Sequence, residues 1–287
     1  MSLDKLASLL VLILLIEMMV SVGLAVSLAD LLAVVSNIRL LVRALLANYV
    51  LVPAATLILL YLFRVQPILA VGFLLIAVCP GAPFAPPLTS LARGNVHVSV
   101  GSMAILAACS AVLAPVLLSF LIPFAAHGAS LKIDTVKIVT TLLMTQLLPL
   151  AIGLLVRHKR PQLAQRLQKP ANALTGLLSL IVFALVIGLQ FQTLQQIRAR
   201  GSLGICILIL LCLLAGWFLA GPPTATRRAM ALTTAARNIG VALVIATASF
   251  PGSAAVTAVV IFGIFQILLL LAVALAIGRL APASQPA

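Results

Sequence analysis

The chain has 287 residues, of which 64% are hydrophobic and only 8% are charged. This composition excludes an ordinary soluble domain and predicts an integral membrane protein. The formal net charge is +14, but the basic residues lie in short stretches between apolar runs, a distribution that signals membrane orientation rather than nucleic-acid binding. The four cysteines lie in apolar segments without metal-ligand spacing, so we expect no metal, no cofactor and no nucleic-acid partner, with membrane lipid as the surroundings.

Apolar runs predict nine membrane spans along the chain. The first run follows Asp4 and Lys5, lacks a strongly basic amino-terminal region and is longer than a signal-peptide core, so we expect it to remain as a span. The predicted spans cover residues 6–28, 44–63, 67–91, 96–122, 136–156, 173–191, 201–220, 225–250 and 254–277.

Two of these spans are interrupted. Residues 79–96 read CPGAPFAPPLTSLARGNV, and because proline cannot continue a helix, the third span must unwind there. The eighth span carries the polar run TTAARNIG at residues 233–240. Interrupted helices in matching positions of two halves indicate a transporter's binding site. We therefore predict a first repeat of four spans over residues 1–123 and a second of five spans over residues 124–287.

The distribution of basic residues predicts the orientation. With the amino terminus outside, eleven Lys and Arg residues fall on the cytoplasmic side and six on the outer side, which the positive-inside rule favours. The strongest cytoplasmic marker is the stretch HKRPQLAQRLQK at residues 158–169, which we predict to be a loop. The carboxyl terminus is then cytoplasmic.

Several motifs resemble the sodium/bile-acid symporter family across essentially the whole chain. They are the CPG at residues 79–81, the LARGN turn at 91–95, Ser99, the Gly23-Leu24 pair, Pro53 and the ARN-x-G run at 236–240. The resemblance implies an all-α membrane protein with two inverted repeats, whose broken helices cross at mid-membrane in a core domain that moves against a panel domain. It also implies a nine-span variant in a bacterial inner membrane that transports small organic anions, bile-acid-like or carboxylate, by alternating access.

The chain departs from the family at the sodium ligands that the resemblance implies. Ala85, Pro86 and Met103 stand where the family has side-chain oxygens, and Thr233 and Arg237 stand where it has Glu and Gln. Asn48 replaces a Gln, whereas Ser99 fits the pattern. Because a hard cation needs oxygen ligands and a guanidinium repels it, we expect transport without sodium coupling through these sites.

Arg237 carries two interpretations. An Arg at the centre of a spanning helix costs about 2.5–3.5 kcal/mol, so it needs a partner. It could attract a substrate anion together with half-helix amino termini near Thr89 and Ile239. It could instead tie the crossing helices together through backbone carbonyls, as a fixed substitute for sodium. The candidate substrate-binding residues are Arg237, Asn238, Thr233, Thr89, Asn48 and Ser99.

Glu17 is the acidic residue near the middle of a predicted span, and it is a candidate for proton coupling. The alternative is a neutral acid that is hydrogen-bonded in a helix contact. Two other function classes compete with transport: a membrane enzyme, for which the chain has no catalytic or metal-ligand set, and a non-transporting receptor or scaffold. Within transport, a proton-coupled carrier and a uniporter remain open, as do the substrate, the direction of transport and the oligomeric state.

Overall fold

A computed structural model describes residues 3–125, 134–189 and 199–280. These ranges are helical and contain no strand. Seven of their helices are long and apolar enough to cross a membrane, so the predicted all-α membrane fold is confirmed. The helices are α1 (Leu3–Ala25), α2 (Leu28–Val35), α3 (Ile38–Leu46), α4 (Val52–Leu62), α5 (Pro67–Val78), α6 (Ala85–Leu91), α7 (Val96–Ala125), α8 (Thr135–Leu142), α9 (Leu148–Lys159), α10 (Pro161–Leu189), α11 (Ala199–Leu219), α12 (Thr224–Ala235), α13 (Ile239–Ser249) and α14 (Ala254–Leu280).

Two of the spans contain a π-helical turn. The turn Ala47–Leu51 joins α3 to α4, and the turn Leu143–Leu147 joins α8 to α9, so each pair forms one continuous span. Such turns widen the helix by one residue and are frequent at functional sites. Here each of them contains a fully buried amide side chain, Asn48 in the first and Gln146 in the second.

The first span ends earlier than the predicted residue 28. Ser27 Oγ accepts a hydrogen bond from Asp30 N at 3.2 Å, and Asp30 Oδ2 accepts one from Ser27 N at 2.8 Å. This reciprocal pair is a capping box, which starts a new helix at Leu28. The prediction of a span through residue 28 is therefore wrong at its carboxyl end.

The basic stretch at residues 158–169 is helical rather than a loop. Helix α9 continues through Lys159, and α10 begins at Pro161. Proline is favoured at the first turn of a helix, where its missing N–H has no partner to lose. The predicted loop is thus reduced to the junction at Arg160, and α10 starts well before the predicted residue 173.

Helix α1 packs against α9 and α10. Its contact with α9 brings two glycines together: a Cβ on Gly153 would lie 2.4 Å from Val20 O and 2.8 Å from Gly23 Cα. Only backbones without side chains can approach this closely. The remaining spans pack mainly among themselves, with α5 against α14 and α11 against α12.

Both predicted interruptions are confirmed. Helix α5 ends at Val78 and α6 begins at Ala85, whereas α12 ends at Ala235 and α13 begins at Ile239. The two breaks meet in an antiparallel bridge between Pro80 and Arg237. Each interrupted segment contains short helices in place of one long span, and the count of nine spans and the division at residue 123 stay predictions.

The first break depends on a glycine. Gly81 has φ of +86°, and a Cβ there would lie 2.6 Å from Ala107 N and 2.7 Å from Met103 O. A side chain would be strained by this backbone conformation and would also collide with α7. The break is therefore pressed directly against the backbone of α7.

Candidate functional site

Arg237 lies at the meeting point of the two breaks and has no exposed surface. Each nitrogen of its guanidinium donates at least one hydrogen bond to the protein. Nε donates to Ile76 O at 3.1 Å, Nη1 donates to Asn48 Oδ1 at 2.7 Å and to Thr234 O at 3.1 Å, and Nη2 donates to Ala77 O. Of these acceptors, only Asn48 contributes a side chain.

The carbonyls around Arg237 come from the ends of two half-helices. Ile76 and Ala77 belong to the last turn of α5, and Thr234 belongs to the last turn of α12. The last carbonyls of a helix lack intrahelical partners and carry the negative end of the helix dipole, equivalent to roughly half an elementary charge. The guanidinium therefore sits where a bound cation with oxygen ligands would be stabilised.

The backbone of Arg237 is held by a second amide. Gln266 of α14 accepts from Arg237 N at 2.6 Å and donates through Nε2 to Arg237 O at 3.1 Å. Next to it, Asn238 N donates to Cys79 O at 2.7 Å, and Asn238 Nδ2 donates to Gly81 O at 3.2 Å. Asn238 Oδ1 caps α13 by accepting from Val241 N. The second break is thus tied to the first by main-chain and amide contacts.

Three candidate residues form a separate chain of hydroxyls. Ser99 Oγ lies 3.0 Å from Thr89 Oγ1 and 2.8 Å from Thr233 Oγ1, and all three side chains are buried. The chain links α6, α7 and α12. This chain is adjacent to the contacts of Arg237. Thr233 is followed by Thr234, whose Oγ1 accepts from Asn48 Nδ2 at 3.3 Å.

The expected half-helix amino terminus near Thr89 lies elsewhere. Helix α6 begins at Ala85, and Thr89 is inside it, within 2.9 Å of Ala85 O. The amino terminus expected near Ile239 is confirmed as the start of α13. Pro86 lies in the first turn of α6, where proline is favoured, so this helix starts about one turn earlier than predicted.

The positions implied for sodium ligands are all buried. Ala85 and Pro86 form the first turn of α6, and Met103 lies on α7 facing the break. None of the three has a side-chain oxygen. The oxygens that remain at matching positions, on Ser99, Thr233 and Asn48, already contact one another or Arg237.

Glu17 lies in a helix contact away from the crossing. Thr175 Oγ1 of α10 donates to Glu17 Oε2, and one turn along α1 Ser21 Oγ donates to Asn172 Oδ1 at 2.7 Å. These pairs form a polar seam between α1 and α10. The Glu17 side chain is half-buried. Its hydrogen bond matches the second interpretation of Glu17, an acid that is hydrogen-bonded in a helix contact.

A hydrogen-bonded pair that the sequence did not reveal joins α2 to α7. His97 Nδ1 lies 2.6 Å from Asp30 Oδ1. Burial raises the pKa of the Asp30 carboxyl, but hydrogen bonds from Ser27 and His97 outweigh it and leave this pKa below its usual value. The pair holds the short helix after α1 against the base of α7.

Two further amides are buried, and sequence reasoning missed the first of them, Gln266. Gln266 is a polar residue within the apolar helix α14, and Gln146 Nε2 of the second π-turn donates to Ser110 Oγ at 2.8 Å and to Ala107 O on α7. An isolated Gln inside an apolar span must have a hydrogen-bond partner. That isolation was the available signal for Gln266.

An open cleft of about 190 Å³ separates α8 from α13. Its polar lining comes from Asp134, Lys137 and Thr141 on one side and Ser249 on the other. Helix α13 runs from this cleft to the break at Asn238. The cleft therefore opens beside the helix that begins at the crossing.

Comparison with known proteins agrees with this architecture. A family model described as the sodium bile acid symporter family matches residues 12–197. The chain is 25% identical over 185 residues to the probable sodium/metabolite cotransporter BASS2, chloroplastic, of Oryza sativa subsp. japonica, which covers 64% of the chain and 42% of that protein. It is 27% identical over 232 residues to the ileal sodium/bile acid cotransporter of Oryctolagus cuniculus, covering 77% and 65%. The chain thus spans less than two thirds of the length of either relative.

Proposed function

Because this chain belongs to the sodium bile acid symporter family, we propose that it is a secondary transporter of small organic anions that works by alternating access without sodium at the crossing. The family and both relatives are named as symporters or cotransporters, so the chain is not an enzyme. The observation that carries the proposal is the buried Arg237 guanidinium, bonded to carbonyls at the ends of both half-helices.

The preference for an anion follows from the balance of charge at the crossing. Arg237 satisfies the carbonyl ends of α5 and α12, so their negative dipole ends are neutralised. The amino-terminal end of α13 remains, and it carries a partial positive charge. Together with a guanidinium that has no carboxylate partner among the described residues, this end favours a negatively charged ligand.

The absence of sodium coupling follows from the covalent attachment of this cation. A coupling ion must enter and leave with each transport cycle, whereas a guanidinium cannot dissociate from its own chain. A sodium ion placed beside it would also be repelled, and the more strongly because the site excludes water. We propose that Arg237 fills the structural role of the sodium ion while abolishing its exchange.

We also propose a route for the substrate. It runs between two groups of helices: the layer formed by α1, α8, α9 and α10, and the remaining spans. The cleft between α8 and α13 is one side of this route. Lys137 at its lining supplies a positive charge, and Thr141 supplies a hydroxyl. Of the candidate substrate contacts, Asn238 lies at the opposite end of α13 from this cleft, and Thr89, Ser99 and Thr233 are buried near the break.

Uptake into proteoliposomes tests the proposal. A thermal-shift screen of carboxylates, keto acids, bile acids and sulfonates first identifies an anion that stabilises the purified protein. Its uptake should be unchanged when sodium is replaced by potassium or choline at constant ionic strength. A steep dependence on sodium would overturn the sodium-free mechanism, and binding without uptake would favour the receptor or scaffold instead.

Glu17 supplies the test for proton coupling. If protons drive uptake, an imposed pH gradient should accelerate it in the parent protein, and Glu17→Gln should abolish that acceleration. Its hydrogen bond with Thr175 within the α1–α10 seam favours a structural role. We therefore expect Glu17→Gln to retain uptake, as a uniporter would.

A further inference from the structure

An open groove of about 580 Å³ lies between the turn that joins α1 to α2 and the last turns of α9. We call it the α2–α9 groove. Its walls are mainly leucine side chains, and two of them are strongly exposed: Leu28 by 55% and Leu155 by 52%. The wall leucines are Leu28 and Leu31 on the α2 side and Leu154 and Leu155 on the α9 side. Exposed leucines that continue the outer surface of the spans indicate an apolar occupant.

The rim of the groove is positively charged. Arg157 and His158 line it at the end of α9, and Lys159 and Arg160 follow directly. The Arg157 Nη1 atom is buried, yet it has no hydrogen-bond partner in the described part of the chain. A buried charged donor without an acceptor is costly. A ligand that supplies an acceptor to Arg157 would remove this cost.

The described protein does not supply the missing negative charge. The whole chain has only four acidic residues against 18 Lys and Arg. Asp30, which lies just after the groove residue Ser27, is already held by Ser27 and His97. Glu17 accepts a hydrogen bond from Thr175, and Asp134 accepts one from Lys137 N at 2.9 Å at the start of α8. The counter-charge must come from outside these residues.

We propose that the α2–α9 groove binds an anionic phospholipid, with its phosphate at Arg157 and an acyl chain along the four leucines. A basic pocket between spans at the basic end of a membrane protein suits an anionic lipid headgroup. A free phosphate would satisfy Arg157 but would leave the leucine walls exposed. A phospholipid satisfies both requirements. Its phosphate can lie at Arg157 while the attached acyl chain covers the leucine walls.

The bound lipid has a structural consequence. One wall of the groove is α9, which packs with α1, and the other is α2, which packs on α7. The α2–α7 contact is close, since a Cβ on Gly101 would lie 2.0 Å from Asp30 O. An anionic lipid in the groove therefore connects the α1–α9 layer to α7. Its binding should stabilise the folded protein by mass action.

Thermal unfolding in a neutral detergent tests this proposal without reference to transport. Phosphatidylglycerol should raise the Tm of the parent protein more than phosphatidylcholine with the same acyl chains. Arg157→Gln should lose most of this headgroup-specific rise. Arg279→Gln removes the same charge from the exposed last turn of α14 and should retain the rise. If both variants lose the phosphatidylglycerol-induced rise in Tm equally, the rise reflects general surface charge, and the proposal is overturned.

Two further arms separate a lipid from a free anion. Leu155→Gln changes an exposed wall residue and should also reduce the phosphatidylglycerol effect, which keeps the test usable if Arg157→Gln folds poorly. Inorganic phosphate at matched concentration should not reproduce the rise in Tm. If phosphate alone produces the same Arg157-dependent rise, or if Leu155→Gln leaves the lipid effect intact, the groove is not a phospholipid site.

Discussion

Arg237 illustrates how a charged residue is tolerated inside a membrane protein without an acidic partner. Its cost of insertion, about 2.5–3.5 kcal/mol, is offset by hydrogen bonds to three main-chain carbonyls and one amide oxygen. Ile76 O also accepts from Cys79 N at 3.2 Å, so Ala77 O and Thr234 O are the carbonyls that depend most on the guanidinium. The residue and the two helix ends therefore depend on each other, since neither is stable when buried alone.

Substitutions can separate the structural role of Arg237 from its proposed role in anion binding. Arg237→Gln removes the charge and most of the donors, so we expect it to lower the free energy of unfolding by about 1–3 kcal/mol. It should also weaken anion binding, because a positive charge near the crossing is lost. Arg237→Lys keeps the charge but cannot reproduce the planar fork of donors. It should lose comparable stability while retaining most of the anion affinity. Thermal unfolding and ligand titration measure the two effects.

A neutral ligand analogue is the control for these variants, because its binding should change much less than that of the anion. If Arg237→Gln folds normally and binds the anion as tightly as the parent, Arg237 is a structural tie alone. If Arg237→Lys loses anion affinity as fully as Arg237→Gln, the positive charge is not what attracts the substrate.

At the scale of the helices, close backbone contacts determine which segments pack as one body. The α1–α9 crossing at Gly23 and Gly153 leaves no space for a side chain. By contrast, a Cβ on Gly176 of α10 would meet nothing within 4 Å. The two positions share residue type and membrane setting but differ in packing, and this makes them a matched pair.

Gly153→Val should force α1 and α9 apart, because its side chain would overlap Val20 O and the backbone at Gly23. Overpacking of this kind costs about 1–3 kcal/mol. Gly176→Val should change the free energy of unfolding little, since its side chain would face open space. Thermal unfolding of both variants in one detergent measures the difference. If both variants lower the free energy of unfolding equally, the loss comes from the helix propensity of valine and not from a clash between α1 and α9.

At the scale of the whole molecule, the charge distribution predicts an orientation. The basic stretch at the α9–α10 junction belongs to one end of the bundle, whereas Lys137 in the α8–α13 cleft belongs to the other end of the span 135–159. The positive-inside rule places the first on the cytoplasmic side. The amino terminus would then be outside.

Cysteine labelling in intact cells tests this orientation. Lys137→Cys should react with a membrane-impermeant maleimide added outside, and Lys159→Cys should react only after the membrane is permeabilised. Both positions are exposed. The native Cys79 and Cys212 are buried, and the parent protein measures the background from all four native cysteines. Labelling of Lys159→Cys from outside would overturn the orientation and the assignment of the repeats.

The sequence alone was sufficient for the features that depend on local chemistry. Long apolar runs predicted a membrane protein, and the prolines between Cys79 and Leu88 predicted an interrupted helix, because proline acts on the helix that contains it. The CPG, LARGN and ARN-x-G motifs identified the family. The same local reasoning marked Arg237 as a residue that needs partners inside the membrane.

The sequence left open whether those partners are a substrate anion or backbone carbonyls, and only the tertiary structure showed the carbonyls. The acceptors around Arg237 are mainly backbone carbonyls, which every residue has, and they are available only because α5 and α12 end at this place. Packing also determines the contact of Gln266 with Arg237 and the Asp30–His97 pair, because the members of each contact are far apart in the chain. Hydrogen-bond partners that are defined by where another helix ends leave no pattern in the sequence, so packing determined them.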